Sequence, residues 1–281
     1  MPCVVCRAGV FLVALCCLMA ARESRVSGAD VAAALPDGVK AVWDTSKAYR
    51  ETTPTRERVS LNGLWRWQPA DAKSEQVPAG GWGHFKVPGS WPGIGNYMQK
   101  DSQTVFAHPA WAARTYAGIS AAWYQREFTV PREWDGRRIA TRIEYLNSFA
   151  TVFVDGKRAG EVRFPAGELD LTSACTPGAT HVLSVLVVAL PLKGLMLSYT
   201  DSASAREVKG SVPRRGLCGD VYLVSQPAGP RIGGTWTGTS VRKQEFTFGA
   251  ALENLAGDAR YTLRARVVDG GRTVGEFTSR S

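Results

Sequence analysis

An all-β sandwich fold is predicted by three observations on this chain of 281 residues. Short runs of alternating apolar and polar residues recur between Ala122 and Val162, as expected of half-buried strands. Glycine and proline pairs, which are typical of turns, separate such runs along the chain. No stretch shows sustained helical periodicity with caps, and this excludes a doubly wound sheet or a (β/α)₈ barrel as the main fold.

The amino terminus has the features of a secretory signal peptide. Arg7 precedes the apolar run Ala8–Ala21, which is shorter than the roughly 20 residues of a membrane-spanning helix. We therefore expect residues 1–29 to be removed, and the mature protein to be exported to the periplasm or the extracellular space without a membrane span. Ser27 and Ala29 are small residues that suit this cleavage, and cleavage after Ala20 or Ala21 is the alternative.

The next two segments differ in apolar content. Residues 30–58 have little apolar periodicity and contain prolines, serines and threonines, so they are interpreted as an extended lead-in. Residues 59–227 carry the main domain, whose most apolar run is Val182–Leu190. Because that run is apolar on both faces apart from Ser184, we expect it at the centre of the sandwich, covered on both sides.

The stretch between Ala122 and Val162 predicts two strands and a hairpin. Residues Tyr124–Val130 and Ile139–Tyr145 each alternate with period two. Ala150–Val154 then meets Asp155-Gly156, a pair that tolerates positive φ at both central positions of a turn, and Lys157–Val162 leads the chain back.

A second, incomplete sandwich is predicted for residues 228–281. Its four strands are expected at Ile232–Val241, Glu245–Leu252, Tyr261–Val268 and Val274–Thr278. Four strands leave a sheet edge and half of a core uncovered, which is an aggregation hazard unless something covers them. The simplest interpretation is that the chain is a truncated piece of a longer protein.

Five motifs occur in a fixed order along the main domain. They are Leu61-Asn62-Gly63-Leu64-Trp65, Val87-Pro88-Gly89-Ser90-Trp91, Trp123-Tyr124 before Arg126-Glu127-Phe128, Val152-Phe153-Val154-Asp155-Gly156, and Arg215-Gly216-Leu217-Cys218-Gly219-Asp220-Val221-Tyr222-Leu223. In this order the motifs resemble the N-terminal sugar-binding domain of glycoside hydrolase family 2, the β-galactosidase and β-glucuronidase family. The resemblance implies a jelly-roll, galactose-binding-like sandwich over residues 59–227, followed by the start of an immunoglobulin-like sandwich.

The resemblance also implies that the catalytic residues lie elsewhere. Retaining glycosidases need two carboxyl groups about 5 Å apart, and the family carries both in a barrel beyond residue 281. The acid/base residue of the family follows an asparagine, and no Asn-Glu dipeptide occurs in this sequence. We therefore predict no catalytic residue and no cofactor here. The three histidines, His84, His108 and His181, lack the spacing of metal ligands, so no metal site is predicted.

Four residues are candidates for sugar contact. In family members a loop of this domain places an Asp near the sugar hydroxyls, where a carboxylate can accept two hydrogen bonds, and Asp201 is the matching position. A solvated turn residue is the alternative interpretation of Asp201. Trp91, Asn96 and Tyr97 belong to a loop rich in proline and glycine, expected at the rim of the sandwich, where an aromatic face can stack on a sugar.

Cysteine usage and charge narrow the remaining possibilities. Four of the six cysteines lie in the leader, which leaves Cys175 and Cys218. In an exported protein these two could form a disulfide, and two independent buried thiols are the alternative. The net charge is +9, but the arginines are scattered instead of forming a basic stripe, so a nucleic-acid partner is not expected.

Three functions stay open at this point. The first is the non-catalytic portion of an exported hydrolase of β-linked glycans, with carbohydrate and the missing barrel of the same polypeptide as its partners. The second is a stand-alone carbohydrate-binding or cell-surface module, which affinity for a polysaccharide by a soluble chain would favour. The third is a structural interaction domain without glycan affinity, because sandwiches serve many functions.

Overall fold

A computed structural model of the protein describes residues 32–91, 102–190, 193–199, 205–211 and 214–279. These residues are almost entirely β-structure, with three short 3₁₀ turns at Tyr116–Gly118, Arg132–Trp134 and Thr172–Ala174. In chain order the strands are β1 Arg50–Thr52, β2 Glu57–Ser60, β3 Gly63–Pro69, β4 Gly83–Val87, β5 Val105–Phe106, β6 Ala121–Thr129, β7 Arg137–Ile143, β8 Leu146–Asn147, β9 Phe149–Val154, β10 Lys157–Arg163, β11 Gly167–Asp170, β12 Thr180–Val188, β13 Lys193–Tyr199, β14 Ala205–Ser211, β15 Gly216–Leu217, β16 Val221–Pro227, β17 Arg231–Ser240, β18 Glu245–Glu253, β19 Arg264–Asp269 and β20 Arg272–Thr278.

Two antiparallel sheets form the sandwich. The larger has seven strands in the order β10-β9-β12-β6-β3-β4-β5, and the smaller has five in the order β1-β2-β16-β7-β11. Four two-stranded sheets accompany them: β13 with β14, β15 with β8, β17 with β18, and β19 with β20. The predicted all-β sandwich is confirmed.

The core between the two sheets is dominated by aromatic rings. One connected cluster has ring centroids between 5.2 and 6.5 Å apart. Its members are Trp65, Trp67, Phe85, Trp91, Trp111, Tyr116 and Tyr124. Most contacts are tilted or edge-to-face, the arrangements in which the positive edge of one ring meets the negative face of another.

β12 is an interior strand of the larger sheet, as the apolar run Val182–Leu190 predicts. It pairs with β6 on one side and with β9 on the other. Ser184, the single polar interruption of that run, is fully buried, and its hydroxyl accepts a hydrogen bond of 3.2 Å from the Gln125 side-chain amide. The hydroxyl can be buried at this position because it has a hydrogen-bond partner.

The hairpin between β9 and β10 is confirmed, and its turn is locked by a side chain. Asp155 and Gly156 have φ values of 49° and 76°. The Asp155 carboxylate accepts a hydrogen bond of 2.8 Å from the Val182 N–H and contacts His181 Nδ1 at 2.7 Å. Because His181 Nε2 accepts a bond from the Thr176 N–H, Nδ1 carries the proton and donates it to the carboxylate.

Replacing Asp155 by asparagine is expected to destabilise the fold in a pH-dependent way. Burial raises the pKa of Asp155, but hydrogen bonds from His181 and from the Val182 N–H together outweigh it and lower the pKa below 3.8. A lowered folded-state pKa stabilises the fold above the unfolded pKa, and that gain disappears as the pH falls through the folded-state value. Urea unfolding should therefore show a loss of about 1 kcal/mol at about pH 7 and almost none at about pH 2.

Asp258→Asn is the matched control, since Asp258 lies exposed in a turn of the carboxy-terminal region. It should leave the unfolding free energy unchanged at both pH values, because exposed surface positions change stability by less than about 0.5 kcal/mol. An Asp155→Asn loss of the same size at both pH values would contradict the charged interaction.

The last residues of the predicted lead-in are part of the sandwich. β1 and β2 form a hairpin at the edge of the five-stranded sheet, with β2 paired to β16. The hairpin is polar because its outer face carries ion pairs, including Arg58 Nε with Glu51 at 2.6 Å and Arg50 with Glu57. An edge strand covered by charges has no apolar alternation, so the sequence pattern could not reveal it.

The carboxy-terminal region contains the four predicted strands, with small shifts at their starts. β19 begins at Arg264, three residues after the predicted Tyr261, and β20 begins at Arg272, two residues before the predicted Val274. The two hairpins expose large apolar side chains, including Trp236 at 59%, Phe277 at 55% and Phe246 at 46% of their surface. A two-stranded sheet has little stability in water on its own, so these faces are a weak point of the described structure.

Candidate functional site

Of the four predicted sugar-contact residues, Trp91 is within the described part of the chain. Asn96, Tyr97 and Asp201 lie outside the described residues. Asp201 falls in the connection between β13 and β14, whose ends pair through Tyr199 and Ala205. The site can therefore be built from the residues that hold the bases of the two loops.

The Trp91 ring belongs to the core. It is 1% exposed and stacks on Tyr124 with an interplanar angle of 19°, and its Nε1–H donates to the Tyr124 hydroxyl at 2.7 Å. The expectation that Trp91 presents a face to a sugar does not fit this position. The ring lies in the core because burial removes its apolar surface from water while the hydrogen bond satisfies its N–H.

Backbone hydrogen bonds join the base of the first loop to the far end of the second. The Trp91 N–H donates to the Arg215 carbonyl at 2.9 Å, and the Arg215 N–H donates to the Ser90 hydroxyl at 3.2 Å. The Gly89 N–H also donates to the Leu217 carbonyl at 2.8 Å. The stretch before residues 92–101 and the stretch that follows β14 therefore run side by side.

Gly216 is the point where this junction meets the core. Its φ is +103°, and a Cβ placed on it would lie 2.6 Å from the Tyr124 hydroxyl oxygen and 2.8 Å from Trp91 Nε1. Contacts this short are not tolerated by buried rings. Gly216 is consequently required both by its backbone conformation and by the close approach of two aromatic side chains.

A second junction is made by two adjacent polar residues, Asn147 and Ser148. Asn147 is fully buried, and its side-chain amide donates to the Arg214 carbonyl at 2.7 Å. The Ser148 hydroxyl donates to the Leu190 carbonyl at 3.1 Å and accepts from the Leu190 N–H at 2.8 Å. One dipeptide thus fixes both ends of the segment that carries Asp201.

Sequence reasoning did not identify Asn147 and Ser148 as site residues. The signal available was their polarity: they interrupt the alternation between Ile139–Tyr145 and Ala150–Val154. Buried polar side chains are kept where they satisfy backbone groups that have no partner in a sheet. At these positions they hold the two ends of the segment between Leu190 and Arg214.

Burial favours the neutral form of one tyrosine and two cysteines of the sandwich. Burial raises the pKa of the Tyr124 hydroxyl, so this group stays protonated and can act as a donor. Burial also raises the pKa of Cys218 to about 11 and that of Cys175 to about 12. Both thiols are free, which corresponds to the alternative of two independent thiols, and neither has the thiolate character of a reactive cysteine.

Among the residues that the structure describes, the carboxyl groups with shifted pKa values are shifted downward: Asp44, Glu51, Asp155 and Asp170. At Asp170 burial, the largest single influence, raises the pKa, but hydrogen bonds from Thr172 and the charge of Arg138 outweigh it. The general acid of a glycosidase needs the opposite, a carboxyl group that stays protonated near neutral pH.

The described ranges contain no group of three or more His, Cys, Asp or Glu side chains that could hold a metal ion. Within them no helix has the length and apolar character needed to cross a bilayer.

Comparison with known proteins gives a consistent set of relatives. No protein-family model matches the chain. A β-glucuronidase of Paenibacillus borealis is 27% identical over 147 residues, covering 50% of this chain and 22% of that protein. A β-glucuronidase of Canis lupus familiaris is 29% identical over 128 residues, covering 40% of this chain and 17% of that protein. These matches support a relationship to proteins of the glycoside hydrolase family 2 type, and they span about a fifth of each relative.

Solved structures agree in fold. The β-glucuronidase of Ruminococcus gnavus in complex with D-glucuronic acid superposes with a TM-score of 0.57 at 16% identity, over 82% of this chain and 40% of that one. The Bifidobacterium dentium β-glucuronidase complexed with coumarin-3-O-glucuronide gives 0.55 at 22% identity, over 82% of this chain and 41% of that one. At these identities the likeness shows the sandwich fold.

Proposed function

We propose that this chain is the N-terminal, non-catalytic portion of an exported family 2 glycoside hydrolase that acts on β-linked glycans. In the complete protein the sandwich would brace a catalytic barrel and contribute contacts to the sugar. The barrel would carry both carboxylates of a double-displacement reaction, which needs no cofactor. The resemblance of residues 1–29 to a signal peptide supports export.

The observation that carries this proposal is the sequence similarity to the Paenibacillus borealis β-glucuronidase. The similar stretch fills 50% of this chain but 22% of that protein. A supporting role next to a separate catalytic unit accounts for this difference in coverage.

The two loop junctions indicate what the sandwich would contribute. A backbone hydrogen bond joins Trp91, which precedes the loop carrying Asn96 and Tyr97, to Arg215, which follows the β13–β14 hairpin. Asn147 and Ser148 hold the segment with that hairpin at Arg214 and Leu190, and a segment held at both ends can place a substrate contact with less loss of conformational entropy. We propose that Asp201 accepts hydrogen bonds from sugar hydroxyls at the mouth of the barrel, with Asn96 and Tyr97 beside it.

Hydrolytic activity of the natural protein tests the assignment to glycosidases. Protein captured from its source with an antibody against residues 59–227 is expected to hydrolyse 4-nitrophenyl β-D-glucuronide, since the relatives in sequence are β-glucuronidases. The isolated 281-residue chain should not hydrolyse it. Hydrolysis by the isolated chain would contradict the proposal. A captured protein that hydrolyses none of the β-glycosides tried would contradict it as well.

Asp201→Ala in the complete enzyme tests the sugar contact. Loss of a charged hydrogen bond to substrate costs about 1.5–3 kcal/mol, so kcat/KM should fall by about 10- to 100-fold. Asp258→Ala, an exposed turn residue, is the control and should leave kcat/KM unchanged. An unchanged kcat/KM for Asp201→Ala would favour the solvated turn residue instead.

A further inference from the structure

The outer face of the seven-stranded sheet carries a cleft that the proposed function does not use. This outer cleft, of about 660 Å³, lies between the loop at residues 72–75 and the β9–β10 hairpin. Its size falls within the range of small-molecule sites, roughly 300–1,000 Å³. It lies on the opposite side of the sheet from the aromatic core, because successive side chains of β9 alternate between the two faces.

The floor of the outer cleft is apolar and partly aromatic. Phe149 and Phe153, both on the outer face of β9, line it together with Leu186 of β12. These side chains belong to a small apolar cluster separate from the main core. Phe149 is partly buried at the edge of that cluster, so part of its ring faces the cleft.

The floor and the wall are already tied together. The Phe153 ring lies 5.3 Å from the Trp123 ring, and the Trp123 Nε1–H donates to the Ser74 hydroxyl at 3.3 Å. The turn below Ser74 is closed by hydrogen bonds from the Lys73 N–H to the Asp71 carboxylate at 2.8 Å and from the Ser74 N–H to the Asp71 carbonyl at 3.0 Å. A wall fixed in this way forms the cleft before any ligand binds.

The rim is polar and carries charges of both signs. Lys73 and Arg158 contribute positive charges, and Glu75 contributes a negative charge. Glu161, next to the rim, pairs with Arg158 at 2.6 Å and with Arg163 at 3.3 Å. The rim therefore offers both donors and acceptors, which is what neutral hydroxyl groups require.

From this combination we propose that the outer cleft binds a neutral pyranose ring of an oligosaccharide. The apolar C–H face of the ring packs on Phe149, and its hydroxyls bond to Lys73, Glu75 and Arg158. An apolar floor with a few convergent polar groups is the usual composition of a specific ligand site. The outer cleft is a glycan-binding site distinct from the loops around Trp91, and it does not depend on hydrolase activity.

Binding isotherms of the full chain with neutral hexasaccharides test this site. The probes are β-linked hexamers of glucose, xylose, mannose and galactose, with a hexasaccharide of alternating glucuronate and N-acetylglucosamine as the acidic comparison. At least one neutral probe should bind with a Kd of about 10 μM to 1 mM. Phe149→Ala should weaken that binding about tenfold, while Phe149→Tyr should retain it.

Controls keep the outcome decisive. Phe164→Ala removes another exposed aromatic ring outside the outer cleft and should leave binding unchanged. If Phe149→Ala does not fold, Arg158→Ala, an exposed position, should still weaken binding severalfold. Failure of every neutral probe to bind with a Kd of about 1 mM or lower, or tighter binding of the acidic hexamer, would overturn the proposal. In the complete enzyme, Asp201→Ala should reduce hydrolysis without changing this affinity, which separates the two sites.

Discussion

Gly216→Ala is expected to lower the free energy of unfolding by about 3–5 kcal/mol, among the largest effects of a single substitution in this chain. Alanine at a φ of +103° is strained, and its Cβ would lie 2.6 Å from the Tyr124 hydroxyl oxygen and 2.8 Å from Trp91 Nε1. Both rings are buried and fixed to each other by a hydrogen bond of 2.7 Å, so neither can move aside cheaply. Urea unfolding followed by tryptophan fluorescence measures the loss.

Gly63→Ala separates strain from collision. Gly63 has a similar φ, +122°, but a Cβ on it would meet nothing within 4 Å. Gly63→Ala should therefore lower the free energy of unfolding only by the cost of backbone strain, about 1–2 kcal/mol. If the two substitutions cost the same, the contact of Gly216 with the aromatic pair would not be the cause of its requirement.

Arg126→Ala is expected to destabilise the fold by about 3–4 kcal/mol. The Arg126 side chain is 2% exposed, and burial lowers its pKa to about 10. Its guanidinium donates to the carbonyls of Leu61 and Trp43, the latter at 3.3 Å, and lies 5.6 Å from the centre of the Trp65 ring. Removing it takes one of two donors from the Leu61 carbonyl, which keeps the Trp65 Nε1–H at 2.7 Å, and it releases the lead-in at Trp43.

Two variants bracket the Arg126 result in thermal and urea unfolding. Arg126→Lys keeps the charge, but an ammonium group cannot span several carbonyls as the planar guanidinium does, so an intermediate loss is expected. Arg163→Ala removes an arginine whose side chain is 81% exposed and should change stability by less than about 0.5 kcal/mol. A loss for Arg126→Ala no larger than that for Arg163→Ala would contradict a structural role of the buried cation.

Local patterns in the sequence predicted the parts of the fold that depend on neighbouring residues. Alternation and the Asp155-Gly156 pair sufficed for the β9–β10 hairpin, because a turn dipeptide and two flanking strands determine a hairpin together. The interior position of β12 in the larger sheet was predicted from its apolar residues on both faces. Neither prediction required knowledge of distant contacts.

The candidate site could be predicted less well because it depends on contacts between distant segments. Trp91 meets Tyr124 33 positions away, and Asn147 meets the Arg214 carbonyl 67 positions away. Alternation tells which face of a strand a side chain occupies, but not which loop it meets. A tryptophan in a loop rich in proline and glycine therefore suggested a sugar platform, although its ring lies in the core.

The mass of the natural secreted protein, detected with an antibody against residues 59–227, tests the proposed function most directly. If the sandwich is the N-terminal portion of a glycoside hydrolase, the product should be far heavier than the 30.4 kDa of this chain, because the barrel adds its own mass. A product slightly lighter than 30.4 kDa, as removal of the leader alone would give, would contradict the hydrolase and leave a stand-alone binding module in its place.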